Sequence, residues 1–131
     1  MTKEYVAYSG SEYQVEWYYA PNGKSQALEY FNELSESERI KTWNLFRSLA
    51  ESGRIYSETK FRYEGNKIYA FKPHPHRFLC FFFEGRKVIV TNAFWKKQDK
   101  LPENEKYRAL KSMESFKQRR NDNTYYEKDE D

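Results

Sequence analysis

Two histidines and an arginine crowd one short stretch of the chain, Pro73-His74-Pro75-His76-Arg77. Imidazole changes charge close to neutral pH, and a guanidinium offers a planar fork of donors that fits phosphate oxygens. The surrounding stretch, Lys67 to Lys97, adds Lys67, Lys72, Arg86, Lys87, Lys96 and Lys97 against one carboxylate, Glu84. Aromatic residues are interleaved with these cations, a pattern suited to a surface on which an anionic polymer can lie. A second reading is open, in which the cations are only the solvated outer face of a sheet. Other chemistries are poorly served. His74, His76 and the single cysteine, Cys80, match no zinc spacing, and the glycines form neither a phosphate-cradling loop nor a nucleophile elbow. No metal site and no cofactor are expected.

The elements that must hold these residues are read from period and punctuation. Three apolar runs, Ile68–Lys72, Phe78–Phe83 and Val88–Phe94, are rich in aromatic and β-branched residues and too short for helices. The breaks at Pro73-His74-Pro75 and Glu84-Gly85-Arg86 suit antiparallel reversals, which predicts a three-stranded meander. Upstream, Tyr13, Val15, Trp17 and Tyr19 alternate with Gln14 and Glu16, the mark of a strand with one buried face. Ser25 can cap a short helix with Ala27, Leu28, Phe31 and Leu34 on its stripe. Ser35 and Glu38 form a capping-box pattern that opens a second helix, with Ile40, Trp43, Phe46 (or Leu45), Leu49 and Ala50 as its apolar face and Gly53 as its stop. Two helices so closely joined should form an antiparallel hairpin packed on the sheet. Residues 54–66 read as a polar connection. Pro102, Glu103 and Glu105 start a last helix, with Tyr107, Leu110 and Met113 on its stripe.

A chain of 131 residues suits one domain with a real core, expected over 13–120. Residues 1–12 show no clear period and are expected to be loose. The tail over 121–131, with five acids against one lysine, is expected to be disordered. It also hides part of the basic character, since the net charge is only +3. Cys80, inside an apolar run, reads as a buried and inert thiol. With no run of eighteen apolar residues and no signal-peptide core after Met1, a soluble cytoplasmic protein is expected.

The order strand, two helices, three strands, helix, together with local wording, resembles the RelE/ParE toxin superfamily, and within it the HigB-like branch of phage-derived proteins. The resemblance covers roughly Tyr13 to Lys117. It is carried by Gly23-Lys24-Ser25, Phe31-x-x-Leu34, Leu49-x-x-x-Gly53, Lys67-Ile68-Tyr69-Ala70-Phe71-Lys72 and His76-Arg77. Its most specific piece is Phe94-Trp95-Lys96-Lys97-Gln98, followed by Lys100-Leu101-Pro102 and Ala109. What it implies is a small α+β fold, β-α-α-β-β-β-α: a twisted, mainly antiparallel sheet with a helical hairpin on one face and a C-terminal helix. It further implies a type II toxin–antitoxin toxin that cleaves mRNA on the ribosome without a metal and is silenced by a cognate antitoxin, of helix-turn-helix type. The ParE branch acts instead on DNA gyrase, and an inactive phage accessory protein can keep the same fold, so both remain alternatives.

Under the first implication, internal attack by a 2′-hydroxyl needs a base, an acid for the departing 5′-oxygen, and cations for the phosphorane charge. The resemblance then makes Arg77, His76, Lys97 and Tyr107 the candidate catalytic residues, and Lys67, Lys72, His74, Arg86, Lys87 and Lys96 the candidate RNA contacts. Bland readings stand beside these: Arg77 paired to a carboxylate, the histidines in a hydrophilic turn, Tyr107 on the core stripe. The chain also departs from its relatives. Ile68 and Ala70 stand where some RelE toxins place two strand lysines, so the catalytic set transfers only in part.

Overall fold

The computed structural model describes residues 3–127, so the expectation of disorder falls partly, over 128–131, outside the described residues. The predicted elements form in the predicted order, and two short strands join them. The chain runs β1 (Val6–Ser9), β2 (Gln14–Trp17), α1 (Gln26–Glu33), α2 (Glu36–Ser52), β3 (Phe61–Tyr63), β4 (Tyr69–Phe71), β5 (His76–Phe83), β6 (Lys87–Trp95) and α3 (Glu103–Asn121). The six strands make one sheet in the order β1-β2-β6-β5-β4-β3. All neighbours are antiparallel except β2 and β6. This is an α+β fold of the RelE-like kind.

Both faces of the sheet are covered, which corrects the expectation of a solvated basic face. Successive side chains of a strand point to opposite faces. On β5, Phe78 and Cys80 enter a core under the α1–α2 hairpin, with Val15, Trp17, Phe46 and Leu49. Leu79 and Phe81 enter a second core under α3, with Ile68, Ile89, Ala109 and Phe116. Cys80 is fully buried, and burial pushes its thiol well up, out of the range where it would react.

Three expectations are corrected by this second layer. Residues 1–12 include β1, which extends the sheet through β2. The tail is ordered past Arg120: α3 runs to Asn121, and Tyr125, 5% exposed, packs edge-on against Phe116 at 4.6 Å. Glu16, placed by its alternation on an open face, is 1% exposed. It accepts hydrogen bonds from Tyr126 Oη (2.6 Å) and Gln14 Nε2 (2.7 Å), with Lys87 Nζ at 3.5 Å. A period-two pattern reveals that one strand face is polar; it cannot reveal that a distant tail supplies the partners.

Helix α2 turns the second half of the expected stripe inward, Phe46, Leu49 and Ala50, but not the first half. Thr42, Phe46, Leu49 and Ala50 are buried, whereas Ile40 and Trp43 are exposed. Thr42 is tolerated inside because its hydroxyl donates to the Glu38 carbonyl at 2.9 Å. Trp43 leans edge-on against Tyr8 of β1, with ring centres 5.1 Å apart. At the other end of the helix, Gly53 takes the left-handed C-cap with φ 78°. Gly10 has a different reason to lack a side chain. A Cβ there would lie about 2.4 Å from the Ala50 carbonyl oxygen, which receives the N–H groups of Glu12 and Tyr13 at 2.8 and 3.0 Å.

Candidate functional site

The cations the sequence singled out gather where β4 and β6 end and β5 begins. Register brings them together: Phe71 pairs with Phe78, Arg77 with Phe94, and the Lys96 N–H donates to the Pro75 carbonyl at 2.9 Å. By alternation, Arg77 (two before Leu79) and Lys96 (two beyond Phe94) fall on the α3 side, and Lys72, just past the end of β4, lies near enough for the charges of both to act on it. Arg62 of β3 pairs with Ala70 and joins the same face.

Arg77 is the centre of this group. It is only 9% exposed, its Nη1 donates to the His76 carbonyl at 2.9 Å, and no carboxylate among the described residues forms an ion pair with it. The bland expectation of a strand-end arginine neutralised by a carboxylate is therefore not met. Burial pushes its pKa down, while the charges of Glu64 and Asp99 act in the other direction. Lys72 is likewise held below the usual lysine range, by burial first and then by the charge of Arg77, with Arg62 and Lys96 adding to it. Its Nζ donates to the Glu58 carbonyl at 3.0 Å. Lys96 is paired to Asp99 at 2.8 Å, which keeps that carboxyl below its ordinary range. Beside this group, a cavity of about 320 Å³ is lined by Arg62, Glu64, Asp99, Lys100, Glu103 and Lys106, among others.

His76 is not part of this cluster. It is one residue before Arg77, so it points to the opposite face, beneath the helical hairpin, where it is 4% exposed. Its Nε2 lies 2.5 Å from Glu38 Oε2 and its Nδ1 lies 2.7 Å from Tyr30 Oη. A carboxylate only accepts, so Nε2 carries a proton toward Glu38. Glu38 also closes the capping box of α2, accepting from Ser35 Oγ (2.8 Å) and the Ser35 N–H (3.2 Å). The His76 hydrogen bond first, and those of Ser35 second, hold the Glu38 carboxyl at about 2. Tyr30 is pushed up by burial and by the Glu38 charge. Both ring nitrogens of His76 are thus engaged in joining α1, α2 and β5.

The remaining candidates are dispersed. Lys97 is exposed beside Tyr30, Trp95 and Arg108 in a separate cavity. Tyr107 is 53% exposed with Lys111 Nζ 5.6 Å from its ring centre, which corrects its place on the core stripe. It stands one turn beyond Glu103, which lines the cleft by Arg77. His74 is exposed and shares a cavity with Lys41, Lys60 and Lys72. Lys67 is exposed in the β3–β4 turn, its N–H donating to Tyr63 Oη at 3.2 Å. Arg86 and Lys87 lie at the far end of β5, about 20 Å along the strand from Arg77. There Arg86 donates to the Ser11 carbonyl, and Lys87 donates to Tyr126 Oη at 2.8 Å besides facing Glu16.

Sequence reasoning missed Arg62 and Glu64, which it had consigned to a polar connection, and Asp99. A three-residue strand, Phe61-Arg62-Tyr63, is too short for its alternation to register. Among the described residues, no group of three or more histidine, cysteine or acidic side chains is placed to hold a metal ion. No described helix is long and apolar enough to cross a membrane. A family model described as "Phage derived protein Gp49-like (DUF891)" matches residues 29–114, from α1 to the middle of α3. No curated protein sequence matches the chain.

Proposed function

We propose that this chain, which belongs to the Gp49-like family of phage-derived proteins, is a toxin of the RelE kind that cleaves mRNA on the ribosome. The observation that carries this reading is Arg77, a nearly buried guanidinium that forms no ion pair with a carboxylate among the described residues, with Lys96 and Arg62 on its face and Lys72 near enough to feel its charge. Such a group is matched to a phosphodiester that gains charge as it reacts. In the reaction, the 2′-hydroxyl loses its proton to a base and attacks phosphorus. The bond to the 5′-oxygen breaks and that oxygen takes a proton, leaving a 2′,3′-cyclic phosphate and a free 5′-hydroxyl.

The residues around Arg77 suggest the roles. Asp99 is tied to Lys96 and held below its ordinary range, which makes it a poor base; Glu64 is the other carboxylate whose charge reaches Arg77. Lys72, pushed below the usual lysine range, is the acid this cluster can offer to the leaving oxygen. Lys100 and Lys106, interleaved with Glu103 on the cleft wall, are further cations that ribosomal RNA can meet. His76 is better suited to hold the strand end that carries Arg77. The partner would be an antitoxin whose acidic segment covers this cleft, as expected of a HigB-like toxin.

The test is single-turnover cleavage of mRNA on programmed ribosomes, with end-group analysis and excess chelator present. Arg77→Ala should slow the cleavage step by about 10²-fold or more while ribosome binding changes little. Cutting at the wild-type rate, or products with 5′-phosphates, would refute the assignment. Intact transcripts in cells arrested by the protein would point instead to a protein target such as gyrase.

A further inference from the structure

The opposite face of the sheet carries a second feature that the cleavage chemistry does not use. Helix α2 stops at Gly53, and beside its end the hairpin face of β3, β4 and β5 lines an open groove. There a cavity of about 550 Å³ is walled by Arg54, Tyr56, Arg62, Tyr63, Tyr69 and Phe82, among others. Its floor is a run of touching rings. Phe82 meets Tyr69 at 5.0 Å, Tyr69 lies almost parallel to Phe61 at 5.4 Å, and Tyr63 meets Tyr69 at 4.9 Å. At its rim Tyr56 is 84% exposed, with the Arg54 guanidinium 5.4 Å from its ring centre.

Two properties identify the occupant. First, the groove carries the exposed rings of Tyr56 and Tyr63, on which an unpaired base can stack and a base held inside a duplex cannot. Second, neither Arg54 nor Arg62 has an ion-pair partner among the described residues, so the margin is cationic, with Glu58 as the acid on the wall. Arg62 also decides the path. β3 is the edge strand, with Phe61 and Tyr63 turned to the groove, and Arg62 lines both this groove and the cleft beside Arg77. The two sites meet around that edge.

We propose that this groove is a single-stranded RNA subsite: bases flanking the phosphate at Arg77 stack on Tyr56 and Tyr63, and Arg54 and Arg62 hold the backbone as it rounds β3. The identity of the polymer as RNA rests on the ribonuclease reading above; the base-stacking geometry does not.

The test measures binding of a labelled single-stranded oligoribonucleotide, and of the same sequence as a duplex, by fluorescence anisotropy. Tyr56→Ala removes only an exposed ring, so an unchanged melting curve separates lost binding from lost folding. Tyr56→Ala should weaken single-strand binding about tenfold and Tyr56→Ala/Tyr63→Leu further, with the duplex unaffected. On programmed ribosomes the same variants should raise KM more than they lower kcat. If the double variant binds and cuts as wild type does while Arg77→Ala is inactive, the groove proposal fails and the ribonuclease reading stands. If wild type binds the single strand through these tyrosines but no transcript is cut, the groove stands and the ribonuclease reading fails. Failure of wild type to bind the single strand, or antitoxin crosslinks at Tyr56 in its place, would overturn the groove.

Discussion

Replacing Phe46 and Trp43 separately by alanine tests which face of α2 meets the sheet. Phe46 has no exposed surface and packs on Trp17, Phe71 and Phe78, with ring centres 5.5, 4.8 and 5.9 Å away. Exposing an apolar side chain of this size costs about 1.5–3 kcal/mol by transfer alone. No neighbour can fill the gap, because those rings are themselves fixed by the sheet, so the cavity raises the total to about 3–5 kcal/mol. That is a large part of the roughly 5–15 kcal/mol holding a domain together. Trp43, although larger, is 40% exposed and meets one ring edge-on, that of Tyr8. Its loss should cost about 1 kcal/mol, mostly the aromatic pair. The assay is urea unfolding followed by circular dichroism, with slopes checked for constancy so that midpoints report stability. The reasoning is refuted if Trp43→Ala costs as much as Phe46→Ala. That result would mean the helix is turned by about one residue, restoring the stripe expected from periodicity.

Glu38→Gln should change the acid limb of the stability profile. The carboxyl sits at about 2 in the folded chain against 4.5 for the ordinary group, so its contribution is complete above about pH 4.5 and disappears as pH falls toward 2. The variant should lose less stability than wild type across that window in pH-stepped denaturant melts, and parallel losses would refute the His76–Glu38 account. Tyr126→Phe should cost about 1–3 kcal/mol, because it leaves the buried Glu16 carboxylate without its 2.6 Å donor. A loss near zero in thermal or urea melts would mean that the segment after Asn121 does not close the second core.

The strong local signals were legible and the long-range ones were not. Ser35 and Glu38 announced the start of α2 because a capping box is complete within four residues. The meander from β4 to β6 was legible because its strands are apolar on both faces and its turns carry proline and glycine. The same property should have warned that both faces are covered, since a strand such as Phe78–Phe83 has no polar alternation to offer solvent. What could not be read were pairings set by sequence separation: Tyr126 with Glu16, Tyr8 with Trp43, and His76 with Glu38. Among the clustered cations, Arg77 and Lys72 are singled out in the sequence by type and by place in the strand. The split between His76 and Arg77 was available from period two alone, but adjacency in sequence drew them into one site.

The departure at Ile68 and Ala70 also has a structural answer. Both side chains are fully buried under α3, so lysines at those two positions would have to enter an apolar core. With α3 packed there, a cation can reach this face only from where the strands end or from the sheet's edge. Beside β4 the chain has one of each: Lys72, just past the end of that strand, and Arg62, directly across the ladder from Ala70. Set against the RelE toxins that the chain resembles, the charge lies outward by one strand and by two residues, beside Arg77. On the ribonuclease reading proposed above, a cluster shifted in this way would still meet a phosphate at Arg77, but it would open toward the β3 edge instead of the sheet's centre. The proposed substrate would then approach from that edge, where the exposed rings of Tyr56 and Tyr63 stand.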